Sequence, residues 1–158
     1  APELNEFLYW CQQLMAESLG KNGKGILPVV SPAPRDHHSL LQLYLDGPKD
    51  KLFYIFSLKF NKKMKTNNNI FGKIFRFAEN KELSKVREAQ KNALIQALRN
   101  KNIPYREFKI NKITEETIGE LFSYFMLETI LIGNFIGINP FNQPAVEEVK
   151  VLTKQYLS

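Results

Sequence analysis

The two histidines of the chain stand side by side, His37 and His38, directly behind Asp36 in the segment PRDHHSLLQLYLDGP, residues 34 to 48. An unperturbed imidazole titrates near neutral pH, and a neighbouring carboxylate can fix its tautomer, so this is the first candidate for moving a proton. Taken by itself, such a pair more often caps a helix or faces solvent. A metal site fits less well, because adjacent side chains on a helix point about 100° apart and no Cys or His elsewhere completes a ligand set. Glu17 is the second candidate, in QQLMAESLGK at the end of an apolar helical pattern. A carboxylate where an apolar face meets a loop can serve as a general base. Lys150 is the third, in FNQPAVEEVK, where it follows Glu147 by three residues and can form a surface pair with it. Each of these two alone has an ordinary structural reading, a helix-end Glu and a solvated Lys.

Read together, the three segments say more. QQLMAESLGKNGKG, DHHSLLQLYLDGP and FNQPAVEEVK, in this order, resemble the C-terminal half of glucose-6-phosphate isomerase. The last is the most specific: an aromatic residue, Asn or Asp, Gln, one free position, a small residue, Val, Glu, two free positions and Lys. The resemblance runs from the first helix to Lys150 and beyond. It implies that Glu17 is the base moving a proton between C1 and C2 of a sugar phosphate. It further implies that His38 takes part in ring opening, with His37 where the family usually has Gln, and that Lys150 assists at the ring oxygen. Gln13 and Gln143 match glutamines lining the family's substrate pocket. Neither a metal nor an organic cofactor is implied.

The family binds the phosphate with a Ser/Thr-rich loop and stabilises the intermediate with an Arg in a Gly-Gly-Arg motif, both upstream of the matched region. Neither occurs here, and the chain has no Gly-Gly pair. The family's histidine reaches into the neighbouring subunit's active site, so the resemblance implies a homodimer with His38 contributed across subunits. It also implies a fragment, residues 1–158, that is inactive or nearly so by itself. The implied fold is α/β, a three-layer αβα sandwich of the sugar-isomerase (SIS) type with a mostly parallel sheet.

The elements that must position these residues read as follows. Leu4, Phe7, Leu8, Cys11, Leu14 and Met15 recur at helical spacing, with Gly20 as a stop. GKNGKG reads as a flexible basic turn and ILPVVS as an edge or irregular strand because of Pro28. HSLLQLYL reads as a short helix closed by DGP, and KLFYIFSLKF as the strongest strand. Residues 82–102 predict a helix with Val86, Ala89, Ala93, Leu94, Ala97 and Leu98 on one face. IPYREFKIN follows as a strand. Thr114 is placed to cap the long apolar helix after it, with Glu115 and Glu116 in its first turn. Residues 122–141 are expected to be buried or half-buried in a soluble protein, since Glu128, Asn134, two glycines and Pro140 interrupt them. A last helix begins near Pro144. This alternation of helices and strands argues for a parallel sheet covered by helices.

With 158 residues and 44% hydrophobic content, the chain is long enough to bury a core. Its N-terminal APELNEFLYW lacks an initiator Met and the pattern of a targeting peptide, so the chain is expected to be a piece of something longer. The single Cys11 excludes an intrachain disulfide and suits a reducing cytoplasm. The net charge of +6 comes largely from residues 59 to 77, where Lys and Arg alternate with Phe. Such a stretch can hold single-stranded nucleic acid by phosphate contacts and stacking. A solvated connection is the simpler reading, because no nucleic-acid motif accompanies it, and no nucleic-acid partner is expected. The remaining rival is a non-catalytic sugar-phosphate-binding module, which would not need Glu17, His38 and Lys150 together.

Overall fold

A computed structural model describes residues 2–59 and 81–158. The basic, Phe-rich stretch singled out above lies outside the described residues except for Lys59. The chain is an α/β protein forming two compact units, Pro32–Lys112 and Pro2–Ser31 with Ile113–Ser158.

In the first unit, strands β1 (Phe53–Leu58) and β2 (Tyr105–Ile110) pair in parallel, with helix α4 (Leu83–Asn100) between them in sequence. Parallel neighbours need a crossover of this kind, because a tight turn can join only antiparallel strands. Register is set by aromatic pairing: Phe56 lies opposite Phe108 with the rings stacked at 4.7 Å. The apolar face of α4 is rotated from the one expected. Ala89 and Ala93 are exposed, and Ile95 and Leu98 are the buried residues. Alanines remove little apolar area from water, so the larger Ile95 decides which side faces inward. Lys91 lies on that side too and pairs with Glu107 of β2 at 2.9 Å. Burial pushes the Glu107 carboxyl up, but the bond to Lys91, the charge of Lys91 and that of Lys109 together hold it below its ordinary value. The helix expected after Asp36 starts earlier and is divided at Leu40 into α2 (Arg35–Ser39) and α3 (Leu41–Asp46). Asp46 binds Lys101, just past the end of α4, at 2.9 Å.

In the second unit, a 3-10 turn (Pro2–Leu4) leads into α1 (Asn5–Leu19), and α5 (Glu115–Phe135) and α6 (Pro144–Leu157) follow after the first unit. Phe7, Cys11, Met15 and Leu19 form one buried stripe on α1, and Leu121, Phe125, Thr129 and Gly133 form the matching stripe on α5. Both repeat every four residues, which keeps them on one helix face. Phe7 meets the edges of Phe122 and Phe125, and Trp10 packs 4.3 Å from Phe122 between ring centroids. Thr114 caps α5, its Oγ1 accepting from the Thr117 amide at 3.2 Å. The apolar stretch 122–141 is less buried than expected: Leu127, Leu131, Phe135 and Phe141 are all exposed. Helix α5 is apolar on sides that α1 does not cover. No helix among the described residues is long and apolar enough to cross a membrane.

The expected strand at residues 26–31 is not formed; this stretch is irregular. Pro28 has no N–H to give a ladder, and its carbonyl is taken by the Gln12 side chain instead. Helices α4 and α5 end alike. Asn102 (φ 55°) and Gly137 (φ 68°) adopt the left-handed conformation, and the next residue, Ile103 or Ile138, returns its amide to Leu98 or Gly133. Both isoleucines are buried. This satisfies terminal carbonyls and anchors the exit of each helix with an apolar contact.

Cys11 shows what this packing does to reactivity. Burial, with a smaller contribution from the Glu128 charge, pushes its thiol up to about 12. At pH 8 about one such thiol in 10⁴ is ionised, against about one in ten for a thiol at the ordinary value of 9.0. Native chain is therefore expected to resist a thiol-specific reagent at pH 8 for hours and to take up one equivalent within minutes in denaturant. Rapid native labelling would show that the α1–α5 interface opens easily. The unfolded thiol loses its proton near 9 and the folded one near 12, so between these values the unfolded state holds fewer protons and stability falls as pH rises.

Candidate active site

On α1 the residues opposite the buried stripe face solvent, among them Gln13 and Glu17, one turn apart. Glu17 thus lies on the exposed side of the helix and not at the margin of the apolar stripe, as its sequence context had suggested. Its two carboxylate oxygens are each engaged by a glutamine. Gln13 Nε2 donates to Oε1 at 3.0 Å, and Gln143 Nε2 donates to Oε2 at 3.0 Å across 126 residues of sequence. Amide donors on both oxygens fix the orientation of the carboxylate. Three of the five residues selected from sequence, Glu17, Gln13 and Gln143, therefore come together.

Gln143 reaches this point because of how α5 ends. After the Gly137 turn, Pro140 folds back over Gly133, where an added Cβ would approach the Pro140 ring at 3.3 Å. Asn139 Oδ1 accepts from the Phe141 amide at 3.0 Å. Gln143 then stands immediately before α6, whose first residue is Pro144.

Lys150 lies on α6 and pairs with Glu147 at 2.6 Å, the i,i+3 contact expected from their spacing. It is exposed, as is every residue of α6. In the first unit, His38 is exposed on α2 and His37 is half-buried. Burial pushes the His37 imidazole down, opposed by the Asp36 charge. Asp36 is buried and accepts from Arg35 Nε at 2.9 Å.

Two lysines that sequence reasoning left in a flexible turn have definite places. Lys21 and Lys24 flank Asn22 and Gly23, whose positive φ values of 55° and 70° make the tight turn favoured for Asn-Gly. Lys21 N donates to Lys24 O and Lys24 N to Lys21 O. Their side chains reach the C-cap of α5 and the loop after it: Lys24 Nζ donates to Ile136 O and Lys21 Nζ to Asn139 O, both at 2.7 Å. The Asn-Gly pair was the available signal for the turn.

No family model matches the chain. Among curated proteins, a probable glucose-6-phosphate isomerase of Methanococcus maripaludis is 37% identical over 155 residues, 98% of this chain and 35% of that protein. The glucose-6-phosphate isomerase of Methanocaldococcus jannaschii is 38% identical over 148 residues, 93% of this chain and 36% of its own length. Among solved structures, a Thermus thermophilus protein described as hypothetical superposes with a TM-score of 0.80 at 25% identity, covering all of this chain and 40% of its own. A glucose-6-phosphate isomerase from Chlamydia trachomatis superposes with a TM-score of 0.78 at 19% identity, covering 98% of this chain and 32% of its own, and shares the fold. The chain is thus a homologue of the glucose-6-phosphate isomerases, spanning about a third of the length of the curated relatives it matches.

Proposed function

We propose that this chain is the C-terminal, sugar-isomerase-type part of an enzyme that interconverts glucose 6-phosphate and fructose 6-phosphate. The observation that carries the reading is the Glu17 carboxylate, solvent-accessible and held at both oxygens by Gln13 and Gln143. After ring opening, Glu17 removes the proton from C2 of the open-chain aldose. The electron pair left on carbon forms the C1–C2 double bond as the carbonyl oxygen at C1 takes up negative charge, giving a cis-enediolate. Return of the same proton to C1, with the hydroxyl proton passing from O2 to O1, leaves the ketose. One carboxylate performs both transfers, and substrate and product have the same atoms and oxidation level, so the reaction consumes no redox partner.

His38 moves the proton between the ring oxygen and the C1 hydroxyl during opening, and Lys150 assists at the ring oxygen; positive charge there favours the developing enediolate. His38 acts in the active site of a second copy, so the working form is a homodimer. The phosphate-binding loop and the cationic group over the enediolate come from parts of the protein outside this chain. The setting is sugar metabolism in the cytoplasm.

The test is a coupled assay of fructose 6-phosphate conversion by this chain and by the full-length protein that contains it. The full-length protein is expected to turn over, and this chain to fall at least ~10²-fold below it, because losing positioned charge at the developing anion alone costs about that much. Turnover by this chain at the full-length rate, independent of its concentration, would overturn the divided site.

A further inference from the structure

We propose that Lys21 is a positioning residue for the Glu17 carboxylate, acting through Gln143; the inference rests on the reading of Glu17 given above and extends it to the loop that supplies its second amide. An ammonium group has three donors and no acceptor. Lys21 uses two of them on carbonyls that are far apart in sequence: Ser18 O at 2.8 Å, in the last turn of the helix carrying Glu17, and Asn139 O at 2.7 Å, in the loop carrying Gln143. One side chain thus ties the end of the helix carrying Glu17 to the loop carrying Gln143, whose side chains meet nearby.

The tie sits where the backbone most needs it. Ser18 O, which Lys21 binds, lies in the last turn of α1, and Ile136, whose carbonyl takes Lys24, is the C-cap of α5. Carbonyls at these ends have no partner within their own helices and carry the negative end of the helix dipole, so a cation is favoured at each. Lys24 adds a second clamp on Ile136 O. The Asn22-Gly23 turn fixes the spacing of the two lysines. Beyond Asn139 the path is constrained by its own side-chain bond to Phe141 and by Pro140 against Gly133, so holding Asn139 holds Gln143. Without the clamp, the Gln143–Glu17 bond is an exposed contact that water replaces at little cost. Removing Lys21 exposes two carbonyls to solvent at the surface and leaves the α1–α5 core untouched.

The experiment uses the full-length protein with Lys21→Met, Lys21→Arg, Gln143→Ala, the Lys21→Met/Gln143→Ala double variant and Glu17→Gln, comparing kcat, KM and thermal midpoint. Lys21→Met is expected to lower kcat/KM about tenfold, with the same division between kcat and KM as Gln143→Ala, because a misplaced positioning group costs rate without removing a reacting one. The double variant is expected to be no worse than Gln143→Ala alone, the mark of two residues acting through one contact. Lys21→Arg, which keeps the charge and its donors, restores most of the rate. Losses that multiply in the double variant, or a Lys21→Met loss that follows only the folded fraction, would overturn the proposal. Glu17→Gln separates the levels. If it collapses the rate while Lys21→Met does nothing, only the positioning role falls; if it leaves the rate intact, the reading of Glu17 falls, and this proposal with it.

Discussion

Replacing Glu17 by Gln in the full-length protein is expected to lower kcat for fructose 6-phosphate by about 10³-fold while KM stays within about twofold, the signature of losing a group that works only in the transition state. The substitution keeps the side chain's length and shape and removes the ability to accept a proton. It also changes the local hydrogen bonding: two donors, Gln13 Nε2 and Gln143 Nε2, point at the two oxygens of the carboxylate. An amide offers one oxygen and one NH₂ group, so one of the two glutamines must turn its own oxygen toward it. That rotation is cheap on an exposed surface, so the loss reports on proton transfer and not on folding. Glu17→Asp keeps the base but withdraws it by about one methylene, and a misplacement of ~1 Å costs about 10²-fold. The two variants should therefore order as wild type, Asp, Gln. An unchanged full-length protein that binds sugar phosphate but does not isomerise it, with Glu17→Gln indistinguishable from it, would replace the enzyme by a binding module.

The sequence motifs singled out the candidate site residues without giving their geometry. Gln13 and Glu17 are four apart in one helical pattern, so their contact could be read directly from spacing. The bond from Gln143 could not, because it depends on how tightly the chain turns after α5. That turn is written in Phe-Ile-Gly-Ile, where the apolar residue after a left-handed glycine is pulled back onto the helix; Asn102-Ile103 writes the same ending in a residue type less often used for it. The strand at 26–31 failed because β-branched residues cannot outweigh Pro28 within so short a run. The inward face of α4 was misjudged by giving alanines the weight that belongs to Ile95. The division of the helix after Asp36 has no clear local signal, since Leu40 and its neighbours are all compatible with a continuous helix. The reach of Lys24 to the end of α5 and of Lys21 to the loop after it is tertiary, and two lysines around Asn-Gly look like any solvated turn until the partner carbonyls are in place.

Phe125→Ala is expected to destabilise the chain by about 3–5 kcal/mol, the range for removing a fully buried Phe side chain. Phe125 is 1% exposed and sits in the middle of the α5 stripe, with Phe7 of α1 meeting it edge to face at 5.7 Å. Three effects add: lost transfer of the ring from water, a cavity that the neighbouring aromatic rings cannot fill, and a lost aromatic pair worth about 0.5–1.5 kcal/mol in itself. A folded domain is stable by only about 5–15 kcal/mol, so this single change removes a large part of the total. Phe125→Leu keeps most of the volume and should cost far less, which separates packing from any specific role of the ring. Urea unfolding of the two variants checks this, with an unchanged slope and a lowered midpoint expected for Phe125→Ala. The consequence extends to the site. Glu17 and Gln13 ride on α1 and Gln143 follows α5, so the contact between these helices fixes where the three side chains meet. Lys21 can only hold what that packing has already brought close. A Phe125→Ala chain with an unshifted midpoint would mean that α1 and α5 are held together by the surface ties alone, and Lys21→Met would then be expected to unfold it.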